Sequence, residues 1–318
     1  MLGNSFISNS DINMKKSEVT KLLLKTVIFI AILAIIDRSA GTVYHWLENK
    51  ALMHSPYGMV TEYSMEKVNS DVVIIGASEA KHSYVCSAIR DSLKMSVYNC
   101  AKDGKRFYYQ NAIVNGILDR YSPKLIIWSV GPNFLSTPSQ QDKDGISDLN
   151  PWYRVNKICR DAILLKSRYE NIKMLSYLYA FNSKFIEYVY KCLIPDYQYE
   201  YGGYAPLHGE MKNGQVTERH FEDNLDLRCA EMLDKTLSRC KKESIDVVFV
   251  YTTRFEKGPY ENLSQHKALD SIIFNNGYKV ITELYRDEEL MNPVYFKDPA
   301  HLNNIGAKVF TERLINKL

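Results

Sequence analysis

Asp298 and His301 stand three residues apart in the run Tyr295-Phe-Lys-Asp-Pro-Ala-His-Leu-Asn303, and far upstream a hydrophobic segment runs straight into Gly76-Ala77-Ser78. A serine hydroxyl is a poor nucleophile until an imidazole takes its proton, and the imidazole in turn needs a carboxylate to fix its tautomer and stabilise its charged form. Asp298 and His301 can supply both from one short turn. Ser78 follows Asp71-Val-Val-Ile-Ile75, a β-branched apolar run that reads as a buried strand, and precedes a predicted helix over 79–93. A serine so placed sits at the C-terminal end of a strand, where open α/β sheets bind their ligands.

Two further segments leave strands in the same way. Asn99-Cys-Ala-Lys-Asp-Gly104 follows the second predicted strand, and Gly131-Pro132-Asn133 follows the third. A backbone N–H at Gly104 and the Asn133 amide are suitable donors for an oxyanion that develops when a serine attacks a carbonyl.

The elements that must position these residues are legible as short apolar strands at 71–75, 96–98, 124–130, 246–251 and 278–281. Helical patterns fall at 79–93, 105–120, 225–243, 264–276 and 303–317. Strand and helix alternate, which predicts a three-layer α/β/α sandwich around a mostly parallel five-stranded sheet, a flavodoxin-like arrangement. In the last helix Ile305, Val309, Phe310 and Leu314 are expected to face the sheet, with Asn303 or Asn304 as N-cap. Between about 134 and 224 the alternation stops. That aromatic-rich helical segment reads as an insertion over one edge of the sheet. Its rings offer broad faces on which sugars could stack, although aromatics at helical spacing are usually core.

Ahead of the α/β region, Lys15, Lys16 and Lys21 precede an apolar run from Leu22 to Ile36 that ends at Asp37-Arg38. Positive charge before an apolar segment predicts a cytoplasmic N-terminus and an exported remainder. The chain therefore divides into a cytoplasmic tail at 1–21, an uncleaved signal-anchor or transmembrane helix at 22–44, a connecting segment at 45–70, and an α/β domain at 71–318. A net charge of +3 without basic runs interleaved with aromatics excludes a nucleic-acid partner. The histidines show no metal-ligand spacing, so neither metal nor cofactor is expected. Six cysteines are compatible with export but read as small buried thiols. Cys229 and Cys240 share one predicted helix too far apart to pair.

In order, Gly76-Ala77-Ser78, Gly104, Gly131-Pro132-Asn133 and Asp298-Pro-Ala-His301 resemble the four blocks of the SGNH, or GDSL-like, hydrolase superfamily, over about residues 71–133 and 245–318. Ala77 stands where the usual first block has aspartate. Membrane-tethered DltD-like and AlgJ-like proteins relax that position. The resemblance implies Ser78 as nucleophile, His301 as general base and acid, and Asp298 as its orienter, with an oxyanion hole from Ser78, Gly104 and Asn133. It also implies an O-acetyltransferase or esterase acting on a cell-surface or secreted polysaccharide, with a polytopic membrane acyltransferase as partner. The rival reading is a catalytically weak SGNH-fold scaffold or binding protein in a polysaccharide-modification complex.

Overall fold

A computed structural model of the chain describes residues 16–182, 184–194, 202–212 and 214–318. The first fifteen residues of the expected tail and most of the Tyr- and Gly-rich stretch before Tyr204 lie outside the described residues.

Five parallel strands form the central sheet: β1 (Val72–Ile75), β2 (Val97–Asn99), β3 (Leu125–Val130), β4 (Asp246–Tyr251) and β5 (Lys279–Ile281). Their order is β2-β1-β3-β4-β5. All four residues of β1 and five of six in β4 are buried, as expected for strands covered on both faces and therefore continuous rather than alternating in hydrophobicity. Val73, Ile75, Ile126, Trp128, Val247 and Phe249 point to one face, where they meet α5 (Phe107–Leu118), α11 (Leu227–Lys242) and α12 (Ser264–Asn276). Val72, Ile74, Ile127, Val248 and Val250 point to the other. They pack against α3 (Ser78–Ser83), α4 (Cys86–Leu93) and α13 (Asn304–Ile315). This is the three-layer α/β sandwich that the alternation predicts. Each large apolar side chain buried in these layers contributes roughly 1.5–3 kcal/mol.

Because the chain moves outward from β1 in one direction to β2 and in the other to β3, a crevice opens beyond the C-terminal ends of β1 and β3. Ser78 and the 131–133 turn both leave the sheet there.

Four local expectations change. The helix predicted over 79–93 breaks into α3 and α4 at Tyr84. That side chain is fully buried, its hydroxyl bonds Thr252 Oγ1 at 2.8 Å, and the Val85 N–H donates to Thr311 instead of continuing the helix. In α13 the buried face is Gly306, Ala307, Phe310, Thr311 and Leu314, whereas Ile305 is exposed; Asn303 caps it by accepting from the Ile305 and Gly306 N–H groups. The stretch read as a connecting segment is helical. Here α1 (Lys16–His54) runs on because Leu47, Ala51 and Leu52 bury one face in the core, and α2 (Val60–Glu66) follows after a short turn.

The fourth change concerns the insertion, which contains α6 (Gln140–Gly145), α7 (Lys157–Leu164), α8 (Glu170–Lys173), α9 (Tyr177–Phe181) and α10 (Phe185–Leu193). Here α9 and α10 wrap the second half of α1. Tyr44 of α1 stacks on Phe181 at 5.2 Å and meets Phe185 edge-on at 5.5 Å. The Tyr177 ring lies so close to Gly41 that a Cβ there would come within 2.7 Å of it. These rings are spent on helix packing. All six cysteines are free thiols, five of them buried, and burial pushes Cys229 and Cys240 up to about 12.

Candidate active site

Gly76 ends β1 because nothing larger fits: a Cβ would come within 2.5 Å of the Ala80 Cβ and 2.9 Å of the Ser129 Cβ. That close approach brings α3 over the sheet and sets Ser78 as its first residue. The N-cap position is Ala77, and the Ser78 hydroxyl does not cap the helix. It lies 2.7 Å from Nε2 of His301 instead. His301 is carried by a short bulged antiparallel ladder, Phe296–Asp298 against His301–Leu302, immediately before α13. The two Asp298 carboxylate oxygens accept from His301 Nδ1 at 2.9 and 3.0 Å, and Oδ1 also accepts the backbone N–H groups of Ala300 and His301.

A carboxylate can only accept, so Nδ1 carries the proton and Nε2 is left to accept from the serine. Partial burial would push Asp298 up, but hydrogen bonds from the His301 ring and from the Ala300 and His301 N–H groups outweigh it. The carboxyl stays below its ordinary range and ionised. The three residues, 223 positions apart at their extremes, form one hydrogen-bonded chain.

Ser78, Gly104 and Asn133 line a single cleft of about 280 Å³, together with Phe107, Phe134 and Tyr285. Gly104 has φ +67°, a left-handed conformation that suits glycine and turns the 102–105 loop into the cleft. The Asn133 backbone carbonyl accepts from Arg106 at 2.7 Å. Its side-chain Oδ1 is buried without a protein hydrogen bond among the described residues.

Arg254 is largely buried on the cleft wall. It pairs with Glu79, the neighbour of Ser78, and forks onto Glu256 at 3.0 Å through both Nε and Nη2. Arg219 adds a second cation on Glu256 at 2.8 Å. His82 meets the His301 ring edge-on with 5.6 Å between centroids. Its nitrogens face the Ala205 carbonyl and Asp103. Burial opposes ionisation of Asp103, but His82 and Lys81 hold its carboxyl well below the usual range. Sequence reasoning did not find Glu79, Glu256, Arg219 or Asp103. Glu79, beside the serine, and Asp103, beside Gly104, could have been flagged by adjacency alone.

No family model matches the chain, and no curated protein matches it. Solved structures do. A protein from Bacteroides fragilis assigned as an acylhydrolase is 12% identical, with 77% of this chain and 86% of that one covered at a TM-score of 0.39. The acetyl xylan esterase AlAXEase is 10% identical, with 78% and 98% covered at 0.39. A protein from Desulfitobacterium hafniense assigned to the lipolytic G-D-S-L family is 10% identical, with 78% and 98% covered at 0.38.

Chemically, the arrangement offers a hydroxyl facing an accepting imidazole nitrogen, a buttressed imidazole, and a cleft lined by Ser78, Gly104 and Asn133. Such a set can attack a carbonyl carbon and accommodate the negative oxygen that results.

Proposed function

We propose that the protein is a serine-dependent acyl-transfer enzyme of SGNH type, an esterase or O-acetyltransferase. It is anchored by α1, with its α/β domain on the exported side, and acts on O-acyl groups of a polysaccharide. The observation that carries this reading is the 2.7 Å contact between Ser78 Oγ and His301 Nε2, with Asp298 holding the far nitrogen. The anchor is supported by α1, whose apolar window has mean hydropathy 2.4 and is 0% buried. The polysaccharide target follows from the motif resemblance.

In the reaction Ser78 Oγ attacks the ester carbonyl as His301 Nε2 takes its proton. The carbonyl oxygen becomes an oxyanion received by the N–H groups of Ser78 and Gly104 and the Asn133 amide. Collapse breaks the bond to the alcohol oxygen, which leaves with the proton from His301, and Ser78 retains the acyl group. Water or a sugar hydroxyl, deprotonated by His301, then attacks the acyl-serine, and the proton returns to Ser78. Water gives an esterase and the sugar a transferase.

Incubating the full chain with an activated acetyl donor and an acceptor glycan tests this. The expected result is an acetyl group on the peptide bearing Ser78, followed by acetylated glycan or free acetate. Turnover with no acetyl on that peptide, or turnover unaltered in Ser78→Ala, would refute the assignment.

A further inference from the structure

The apolar run of α1 from Leu22 to Ile36 is fifteen residues, about 22 Å of helix at 1.5 Å per residue, against a hydrocarbon layer of roughly 30 Å. The shortfall of about 8 Å must be met at one end. At the N-terminal end Lys21 precedes the run and Lys25 already lies within its first turn, so that side offers no further apolar length. On the other side the helix continues through Asp37 to Gly41, and α9 is docked on that turn.

The docking is specific. The Asp37 carboxylate caps α9, accepting from Ser176 Oγ at 2.6 Å and from the Tyr177 and Leu178 N–H groups at 3.0 and 3.1 Å. Its charge therefore reaches the membrane boundary already hydrogen-bonded. Tyr177 lies on Gly41, with the Arg154 guanidinium 3.7 Å from its ring centroid and that of Arg38 at 5.1 Å. Arg154 also donates to the Met174 and Leu175 carbonyls, which fixes the end of α8 beside α9. Around this knot the large apolar side chains face outward: Leu175 is 65% exposed, Ile172 63% and Leu178 43%. Exposed Arg38, Arg154 and Lys173 accompany them.

We infer that Ile172, Leu175 and Leu178, with Arg38 and Arg154, form a surface that lies in the phospholipid headgroup layer where α1 leaves the bilayer. Apolar side chains beside cations fit that layer, since the former enter the acyl boundary and the latter meet phosphates. The contact completes the short span and fixes the α/β domain against the membrane through α9 and α10. It rests on the reading of α1 as a membrane anchor.

The test uses the full chain in vesicles of phosphatidylcholine and phosphatidylglycerol. Of the six cysteines only Cys192 is partly exposed, so Cys192→Ser provides a background for single labels. A fluorophore is attached at Leu175→Cys, Leu178→Cys, Ile28→Cys in the apolar run, or Phe274→Cys, a position 82% exposed on α12. The expected result is quenching at 175 and 178 by lipids brominated near the headgroup, loss of the iodide quenching seen at 274, and quenching at 28 by deeply brominated lipids. Labels at 175 and 178 that respond to iodide as 274 does, while 28 responds to lipid, would overturn the surface and leave the anchor standing. A label at 28 that behaves like 274 would overturn the anchor and the surface together.

Discussion

Asp148, from the inserted segment, accepts from Lys105 at 2.9 Å and from Lys102 at 2.7 Å, the two lysines that bracket the Asp103-Gly104 turn of the cleft. Its other oxygen faces Lys184, a lysine only 1% exposed that also pairs with Glu62 at 3.1 Å and Glu187 at 3.0 Å. Tyr188 extends the chain, its hydroxyl lying between Glu62 at 3.1 Å and Glu48 at 3.2 Å, the latter on α1. A buried set of charges therefore ties the anchor helix and the insertion to the loop that presents Gly104.

Removing one partner of such a set leaves uncompensated charge. Asp148→Asn is expected to destabilise the protein by about 3 kcal/mol, measured by urea unfolding. It should also lower kcat about tenfold with little change in KM, below the loss for removing an oxyanion donor outright, because Asp148 acts through the loop. An unchanged kcat would separate the charge set from the site.

The same carboxylates govern acid stability. Burial disfavours the ionised form of Asp148, but Lys102, Lys184 and Lys105 outweigh it and hold its carboxyl well below the ordinary value; Asp103 and Asp298 are lowered too. A carboxyl depressed in the folded state stabilises above its unfolded value, about 3.9, and that contribution is lost as pH falls through the folded value. Unfolding free energy should therefore fall below about pH 4 on account of these groups. In Asp148→Asn the fall should be shallower, as read by urea titrations across that range.

Gly76→Ala should destabilise by about 1–3 kcal/mol, because the added methyl meets Ala80 and Ser129 atoms that have no flexible end to move aside. Since that contact also places Ser78, labelling of the serine by an active-site probe should slow even where the variant is folded by circular dichroism.

Asp298→Asn keeps the shape of the turn but offers an N–H toward Nδ1 and so favours the wrong tautomer. A fall in kcat of about 10⁴ is expected, measured on an acetyl ester under saturating substrate.

Much of this was legible because local spacing carried it. The β-branched run before Gly76 and the Asp-x-x-His turn before the last helix each put a reactive side chain at a sheet terminus, and the alternating elements required those termini to meet. What escaped was long-range. Glu79 and Arg254 are 175 residues apart, and Asp148 lies in a segment without strand and helix alternation. No local pattern pairs either with its partner. The break at Tyr84 escaped for a related reason, since its buried hydroxyl bond to Thr252 outweighs a helix periodicity that continues through it. Helical spacing of the insertion's aromatics favours core packing over a sugar platform, and Tyr177, Phe181 and Phe185 do pack on α1, though the spacing does not name that partner.

The proposed chemistry stands on Ser78 as a nucleophile activated by His301. Its most direct test is labelling of the full chain by a fluorophosphonate probe, read by mass spectrometry of the Ser78 peptide. Wild type should be labelled at Ser78, Ser78→Ala not at all, and His301→Ala should lose labelling with the fold retained by circular dichroism. Equal labelling of wild type and Ser78→Ala, or a wild type inert to the probe, would contradict it.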